Sequence, residues 1–250
     1  ENYPTDIRPV TDDRPYFFYF GKGAPAHLRT LAPVLLLGVL SGLLALGTGL
    51  ASGLRRPPGE GFAAALAAVC GASFMLVEAG LLNKLMLAIG GPTQVLAALL
   101  FSLLFWCGLG SWLAEALRRR RGLEVWMAFA AAGLIPAGCI LLMRGAWALE
   151  GVSSEPLRLL LVFLFLAPIG LSLGGPFPLL LKLQAERAPG GNALLWGING
   201  FASVAGACLS IAISFVYGAE AGLLAGSAGY LAGALAAVLK PGGAGAIIQG

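Results

Sequence analysis

The chain has 250 residues, of which 58% are hydrophobic and 11% are charged, and its formal net charge is +4. Its mean hydropathy is +0.85. A soluble domain needs far more charge to cover its surface, so this composition indicates a protein that lies in a lipid bilayer. The positive charge does not indicate nucleic-acid binding, because its largest cluster is a single arginine run at 118–121, at the end of an apolar segment.

The first 30 residues are polar and contain Pro4, Pro9, Pro15 and Pro25. This pattern is typical of an extended tail or linker rather than a helix. The segment lacks the basic start and short apolar core of a signal peptide. We therefore expect a tail that leads from an upstream part of a longer or processed protein.

Seven apolar stretches follow, each of about 20 residues or more, which is the length that crosses about 30 Å of hydrocarbon. They lie at roughly 31–54, 62–89, 94–117, 124–147, 157–184, 193–217 and 219–239. Unlike helices of a soluble bundle, they have no polar face that recurs every 3.6 residues. The sequence therefore predicts an all-α, polytopic transmembrane helical bundle over residues 31–240, with a short C-terminal tail at 241–250.

The basic residues indicate which side of the bilayer faces the cytoplasm. The loops after the first, third, fifth and seventh predicted spans carry Arg55, Arg56, the run at 118–121, Lys182, Arg187 and Lys240. The opposite loops carry only Arg144 and Arg158, so the richer side is expected in the cytoplasm. This places the C-terminus inside and the N-terminal tail outside a membrane that is expected to be the bacterial inner membrane.

Polar residues inside the predicted spans form a candidate intramembrane polar site: Glu78, Asn83, Lys84 and Asn199. A carboxylate at the depth of Glu78 must be protonated, paired or in contact with water. It is either a proton or cation site that lines a polar cavity, or a partner in an interhelical hydrogen bond, for example near Asn199. Lys84 is too far round the helix to pair with Glu78, and it is expected to extend toward the interface at Gly90 and Gly91.

The fifth predicted span is interrupted by Pro168, Pro176 and Pro178. Such a helix is expected to be kinked or broken, and it either borders a cavity or forms a structural kink beside a tight contact at Gly174 and Gly175. Glycine pairs spaced by four residues indicate close helix packing or an oligomer seam. These pairs are Gly38/Gly42, Gly49/Gly53, Gly170/Gly174, Gly222/Gly226 and Gly229/Gly233.

Motifs for catalysis and cofactor binding are missing from the sequence. It contains no Walker loop, no HExxH, no haem-attachment motif and no GxGxxG after a strand. The cysteines lie in apolar stretches without a CxxC pair, so neither a zinc site nor a disulfide framework is expected. We therefore assign no catalytic, cofactor-binding or metal-binding residue in this chain.

Three stretches of the sequence are similar to one known family: PVTDDRPYFF at residues 9–18, residues 74–113 and residues 168–206. They resemble the membrane-bound spermidine synthase-like family, which is polyamine aminopropyltransferase-like. PVTDDRPYFF at residues 9–18 is similar to an element of these proteins that follows a Rossmann-type domain. Residues 74–113 resemble the family's helix, "G-PT" turn and glycine-rich second helix, and residues 168–206 resemble its "FPLLL" and "GxNG" helices. The resemblance implies a transmembrane part that anchors or serves an enzyme, with an S-adenosylmethionine-type cofactor only in an upstream domain.

The resemblance carries no catalytic residue into this chain, because none of the matching positions belongs to the enzyme core. It also implies a cytoplasmic domain upstream, whereas the charge count places the tail outside. Two alternatives stay open: a structural subunit of a larger membrane complex, and a transporter of a small cationic solute that uses Glu78. The expected partners are the lipid bilayer and either other membrane subunits or an upstream soluble domain, without nucleic acid.

Overall fold

A computed structural model describes residues 60–89, 91–143, 152, 154–187 and 192–239. This part of the chain is helical and contains no strand. Its helices are α1 (Glu60–Ile89), α2 (Pro92–Arg121), α3 (Val125–Met143), α4 (Glu155–Leu173), α5 (Pro176–Arg187), α6 (Asn192–Tyr217) and α7 (Ala219–Leu239). The all-α prediction is therefore confirmed.

Six stretches of the described chain are long and apolar enough to cross a membrane. They match the predicted spans from 62–89 onward, and α4 and α5 together form one crossing over Glu155–Glu186. The predicted span at 31–54 lies outside the described residues, as do the tail at 1–30 and the C-terminal tail at 241–250. The described part is therefore a membrane-spanning helical bundle, which agrees with the predicted fold class.

The ends of α2 follow from local sequence. Pro92 occupies the first turn, where its missing N–H costs nothing because that N–H would have no helical acceptor. Gly122 ends the helix at φ 65°, a left-handed conformation that glycine adopts without steric penalty. The N–H groups of Gly122 and Leu123 donate to the carbonyls of Arg118 and Leu117, which satisfies part of the last turn. The arginine run therefore ends at a defined helix terminus.

Helix α1 lies at the centre and packs against α6 and α7, while α7 also packs against α3 and α2 packs against α4. Helices α1 and α7 are antiparallel: a Cβ at Gly80 would come within 2.6 Å of Leu223, and the Tyr230 hydroxyl donates to the Cys70 carbonyl at 3.3 Å. Helices α2 and α4 run in parallel, because Gln94 donates to Glu155 at 3.0 Å near their starts and Trp106 donates to the Phe163 carbonyl farther on.

Glycines permit the closest of these contacts. A Cβ added at Gly110 would collide with the Leu171 carbonyl, and one added at Gly174 would collide with the Cys107 carbonyl. On α7, Gly226 and Gly229 face Ser73, while Gly233 faces Phe129. The prediction of close packing is confirmed for the pairs Gly170/Gly174, Gly222/Gly226 and Gly229/Gly233, whereas Gly38/Gly42 and Gly49/Gly53 lie outside the described residues.

The outer surface of the bundle is apolar. On α2, Phe101, Leu104 and Trp112 are 65%, 75% and 70% exposed. A large contiguous apolar surface of this kind is unfavourable in water and favourable against lipid tails. The side of α2 that faces away from the bundle is therefore the side that faces the bilayer.

Candidate intramembrane polar site

Three of the four predicted polar residues lie on α1. Glu78, Asn83 and Lys84 are all half-buried, and they occupy the half of α1 that leads to Ile89. Six positions separate Glu78 from Lys84, about 9 Å along the axis and about 120° around it. The two side chains therefore face different neighbours.

Lys84 makes an interhelical ion pair with Glu220 of α7. Its Nζ lies 3.4 Å from Glu220 Oε2, and the two side chains are 17% and 9% exposed. Glu220 sits in the first turn of α7, where the helix dipole favours a negative charge. Lys84 lies five residues before the end of α1, just outside its last turn. The pair therefore joins two helix ends that meet at the same side of the bundle.

Glu220 is a member of the site that the sequence analysis does not identify. A signal for it is present in the sequence, because Glu220 lies at the start of the last predicted span and Lys84 lies near the end of the span at 62–89. Those two ends lie at the same membrane face, because four crossings, an even number, separate them. An acid and a base at one depth on the same side are candidates for pairing.

Glu78 is a carboxylate in the apolar part of the bundle. It makes no hydrogen bond and no ion pair with another residue in the part of the chain that the structure describes. A half-buried carboxylate in this position is a group that can take up a proton or bind a cation.

The structure does not bring Asn199 to Glu78. The carbonyl of Asn199 accepts a hydrogen bond from the Ser203 hydroxyl at 2.8 Å, and its backbone lies against Gly71 of α1. Gly71 precedes Glu78 by two turns, about 10 Å along the axis. No hydrogen bond joins Asn83 or Asn199 to Glu78 among the described residues. Within the described chain, no hydrogen bond therefore links Asn199 to the polar residues of α1, and a common site for the four residues stays a prediction.

The helix break lies between α4 and α5, at Gly174 and Gly175. Pro168 is inside α4, Pro176 begins α5, and Pro178 is in the first turn of α5. The prolines carry no N–H, so the carbonyls one turn before Pro176 and Pro178 have no helical donor. A Cβ at Gly175 would lie 3.4 Å from Ala114 of α2 and 3.7 Å from Ala128 of α3. The break is thus packed between neighbouring helices.

Two serines of α6 line its contact with α7. Ser210 and Ser214 are fully buried, and neither hydroxyl has a hydrogen-bond partner among the described residues. Their oxygens lie 3.4 and 3.0 Å from the position of a Cβ at Gly222. Ser102, Ser172 and Ser203 instead donate to carbonyls of their own helices, Ser102 to Ala98 at 2.6 Å. The α6–α7 contact is therefore more polar than the apolar composition of both helices indicates.

A cavity of about 560 Å³ lies between α2 and α4. Its lining is mostly apolar, and neither Glu78 nor the Lys84–Glu220 pair contributes to it. The lining residues are Gln94, Ala97, Ala98, Phe101, Ser102, Leu159, Leu160 and Phe163. It is largely open to the outside of the bundle, and no charged side chain of the described residues lines it.

Fold and site together define a polytopic α-helical membrane domain, with a charged pair at one end of its central helix and a half-buried carboxylate within it. No family model, curated protein or solved structure matches the chain.

Proposed function

We propose that the chain is the transmembrane domain of a spermidine synthase-like membrane protein, and that it anchors or serves an enzyme part that lies upstream. The proposal rests on a close contact between two of the resembling stretches, 74–113 and 168–206. Their backbones approach each other closely at Gly110 and Leu171, and again at Cys107 and Gly174. Gly110 and Gly174 thus stand where no larger side chain fits, whereas Gly197 and Gly200 of the "GxNG" element face open space.

The surroundings of these contacts support an anchoring role. The outer face of α2 is apolar along the part that crosses the bilayer, and the Lys84–Glu220 pair holds α1 to α7. These features stabilise a helical bundle within lipid. Under this proposal, the upstream enzyme part carries out the reaction. Under this proposal, the S-adenosylmethionine-type cofactor belongs to the upstream domain.

The experiment is mass spectrometry of the native protein in mild detergent, with peptide mapping upstream of Glu1. We expect continuity with a Rossmann-type domain, and we expect that assembly to bind S-adenosylmethionine or its decarboxylated form in isothermal titration calorimetry. A mature chain that begins near Glu1 and purifies with other subunits at fixed stoichiometry would refute the proposal. That outcome would instead identify a structural subunit of a membrane complex.

Glu78 favours a second candidate function, the transport of a small cationic solute. A half-buried carboxylate without an ion-pair partner among the described residues is the kind of group that binds a cation within a membrane. The test is the uptake of radiolabelled spermidine into proteoliposomes by the wild type, by Glu78→Gln and by the exposed control Glu155→Gln. Uptake that only Glu78→Gln abolishes supports transport, and wild-type uptake equal to that of empty liposomes excludes spermidine transport by this chain.

A further inference from the structure

The end of α2 carries a network of charged side chains. Glu115 accepts from Arg119 Nε at 2.6 Å and from Arg118 Nε at 3.3 Å, and its Oε1 lies 2.8 Å from Lys182 Nζ of α5. Arg118 also donates to Glu186 of α5 at 3.0 Å. The two carboxylates therefore already have partners, and the ends of α2 and α5 are held together.

The network leaves positive charge unneutralised. In segments 115–124 and 182–186, five cations face three carboxylates. The third carboxylate, Glu124, accepts from the Trp126 indole at 2.9 Å. Arg120 and Arg121 are exposed and make no ion pair with any residue that the structure describes. This end of the bundle therefore presents unpaired guanidinium groups.

These guanidinium groups lie at the depth of lipid headgroups. The apolar part of α2 from 95 to 114 is about 30 Å long, the thickness of the hydrocarbon layer, and Glu115 is the first charge after it. Arg119 follows the lipid-facing Trp112 by nearly two turns, so it lies on the same face and about 10 Å farther along the axis. Arg120 bears the same relation to the exposed Leu113. Both side chains are thus directed toward the polar layer of the bilayer rather than into the bundle.

We propose that Arg119, Arg120 and Arg121 form a binding site for the phosphate headgroups of anionic phospholipids. Guanidinium groups bind phosphate oxygens in a bidentate manner, and basic residues beside a membrane span attract anionic lipid. Glu115 pairs with both Arg119 and Lys182 and so holds the Arg119 side chain in place. Arg120 and Arg121 supply positive charge that no described residue neutralises. This inference concerns the lipid contacts of the domain and is independent of the enzyme or transport roles proposed above.

The test measures which lipids the protein retains when it is extracted from mixed vesicles of phosphatidylglycerol and phosphatidylcholine, with native mass spectrometry as the readout. The variant R120Q/R121Q leaves every ion pair of the network intact. Each arginine near the surface contributes about 1 kcal/mol, or about fivefold in affinity, so the variant is expected to lose about 25-fold of the selectivity for phosphatidylglycerol. The charge-conserving control R120K/R121K is expected to retain most of it.

Equal retention of the two lipids by the wild type, or undiminished selectivity in R120Q/R121Q, would overturn the proposal. A second arm separates a lipid headgroup from a free anion. The thermal midpoint of unfolding is measured in phosphatidylcholine nanodiscs with and without inorganic phosphate, and in phosphatidylglycerol nanodiscs. We expect a higher midpoint with phosphatidylglycerol alone. An equal rise with inorganic phosphate would show a free-anion site and refute lipid binding.

Discussion

The ion pair between Lys84 and Glu220 is expected to contribute measurably to the stability of the bundle. At 3.4 Å and an effective dielectric constant of about 20, the attraction between unit charges is about 5 kcal/mol before desolvation. Desolvation offsets much of this for two side chains that are mostly buried. We expect Glu220→Gln to lower the free energy of unfolding by about 2–3 kcal/mol, because it leaves the Lys84 ammonium without its carboxylate.

The assay is a double-mutant cycle with Lys84→Met, Glu220→Gln and the double variant, followed by denaturant unfolding in lipid discs. A coupling energy of about 1–3 kcal/mol is expected between the two residues, because residues in one ion pair do not act additively. The double variant should unfold at a higher denaturant concentration than Glu220→Gln alone, since it contains no unpaired cation. A coupling energy below about 0.5 kcal/mol would refute the reasoning, since the pair would then contribute nothing specific.

Three further predictions concern packing, orientation and the lone carboxylate. Gly110→Ala is expected to lower the free energy of unfolding by about 1–3 kcal/mol, because its Cβ collides with a carbonyl of α4. The control Gly108→Ala on the same helix meets open space and should not destabilise the protein. Equal effects of the two variants in denaturant unfolding would contradict the α2–α4 contact. A cysteine placed at Gly122 should resist a membrane-impermeant maleimide in intact cells, and one at Ser154 should react, because basic residues concentrate at the Gly122 end; the opposite labelling would reverse the orientation. Glu78→Gln should leave stability unchanged or raise it by about 1 kcal/mol, because a neutral amide is less costly than a carboxylate in an apolar setting; a clear loss of stability would show that the carboxylate has a partner.

Much of the fold is predictable because hydrophobic length alone specifies a membrane span. The stretch 94–117 matches the apolar part of α2, whose ends follow from Pro92 and the glycine at 122. The interruption of the fifth predicted span is also predictable, since Pro176 and Pro178 remove backbone donors wherever they stand. These features depend only on local residues and on the thickness of the hydrocarbon layer, so the sequence is enough to predict them.

The candidate site is less predictable, because it depends on how helices distant in sequence are placed. The partner of Lys84 is 136 residues away, and the pair forms only because α1 and α7 are antiparallel neighbours. The suggested contact between Glu78 and Asn199 does not form, because α6 presents Asn199 two turns away from that level. Polarity inside a span indicates that a side chain needs a special environment, but the identity of its neighbour depends on the packing of the whole bundle.

The central position of α1 has a consequence for biosynthesis. Helix α1 leaves the ribosome before the other described helices, yet its main neighbours, α6 and α7, are made last. Until they are inserted, the small-residue surface around Gly71 and Gly80 has no neighbour from them, and Lys84 resides in the membrane without its carboxylate. A nascent chain that stops before residue 192 therefore lacks both main neighbours of α1, and insertion of the last hairpin, α6 and α7, completes the packing around it.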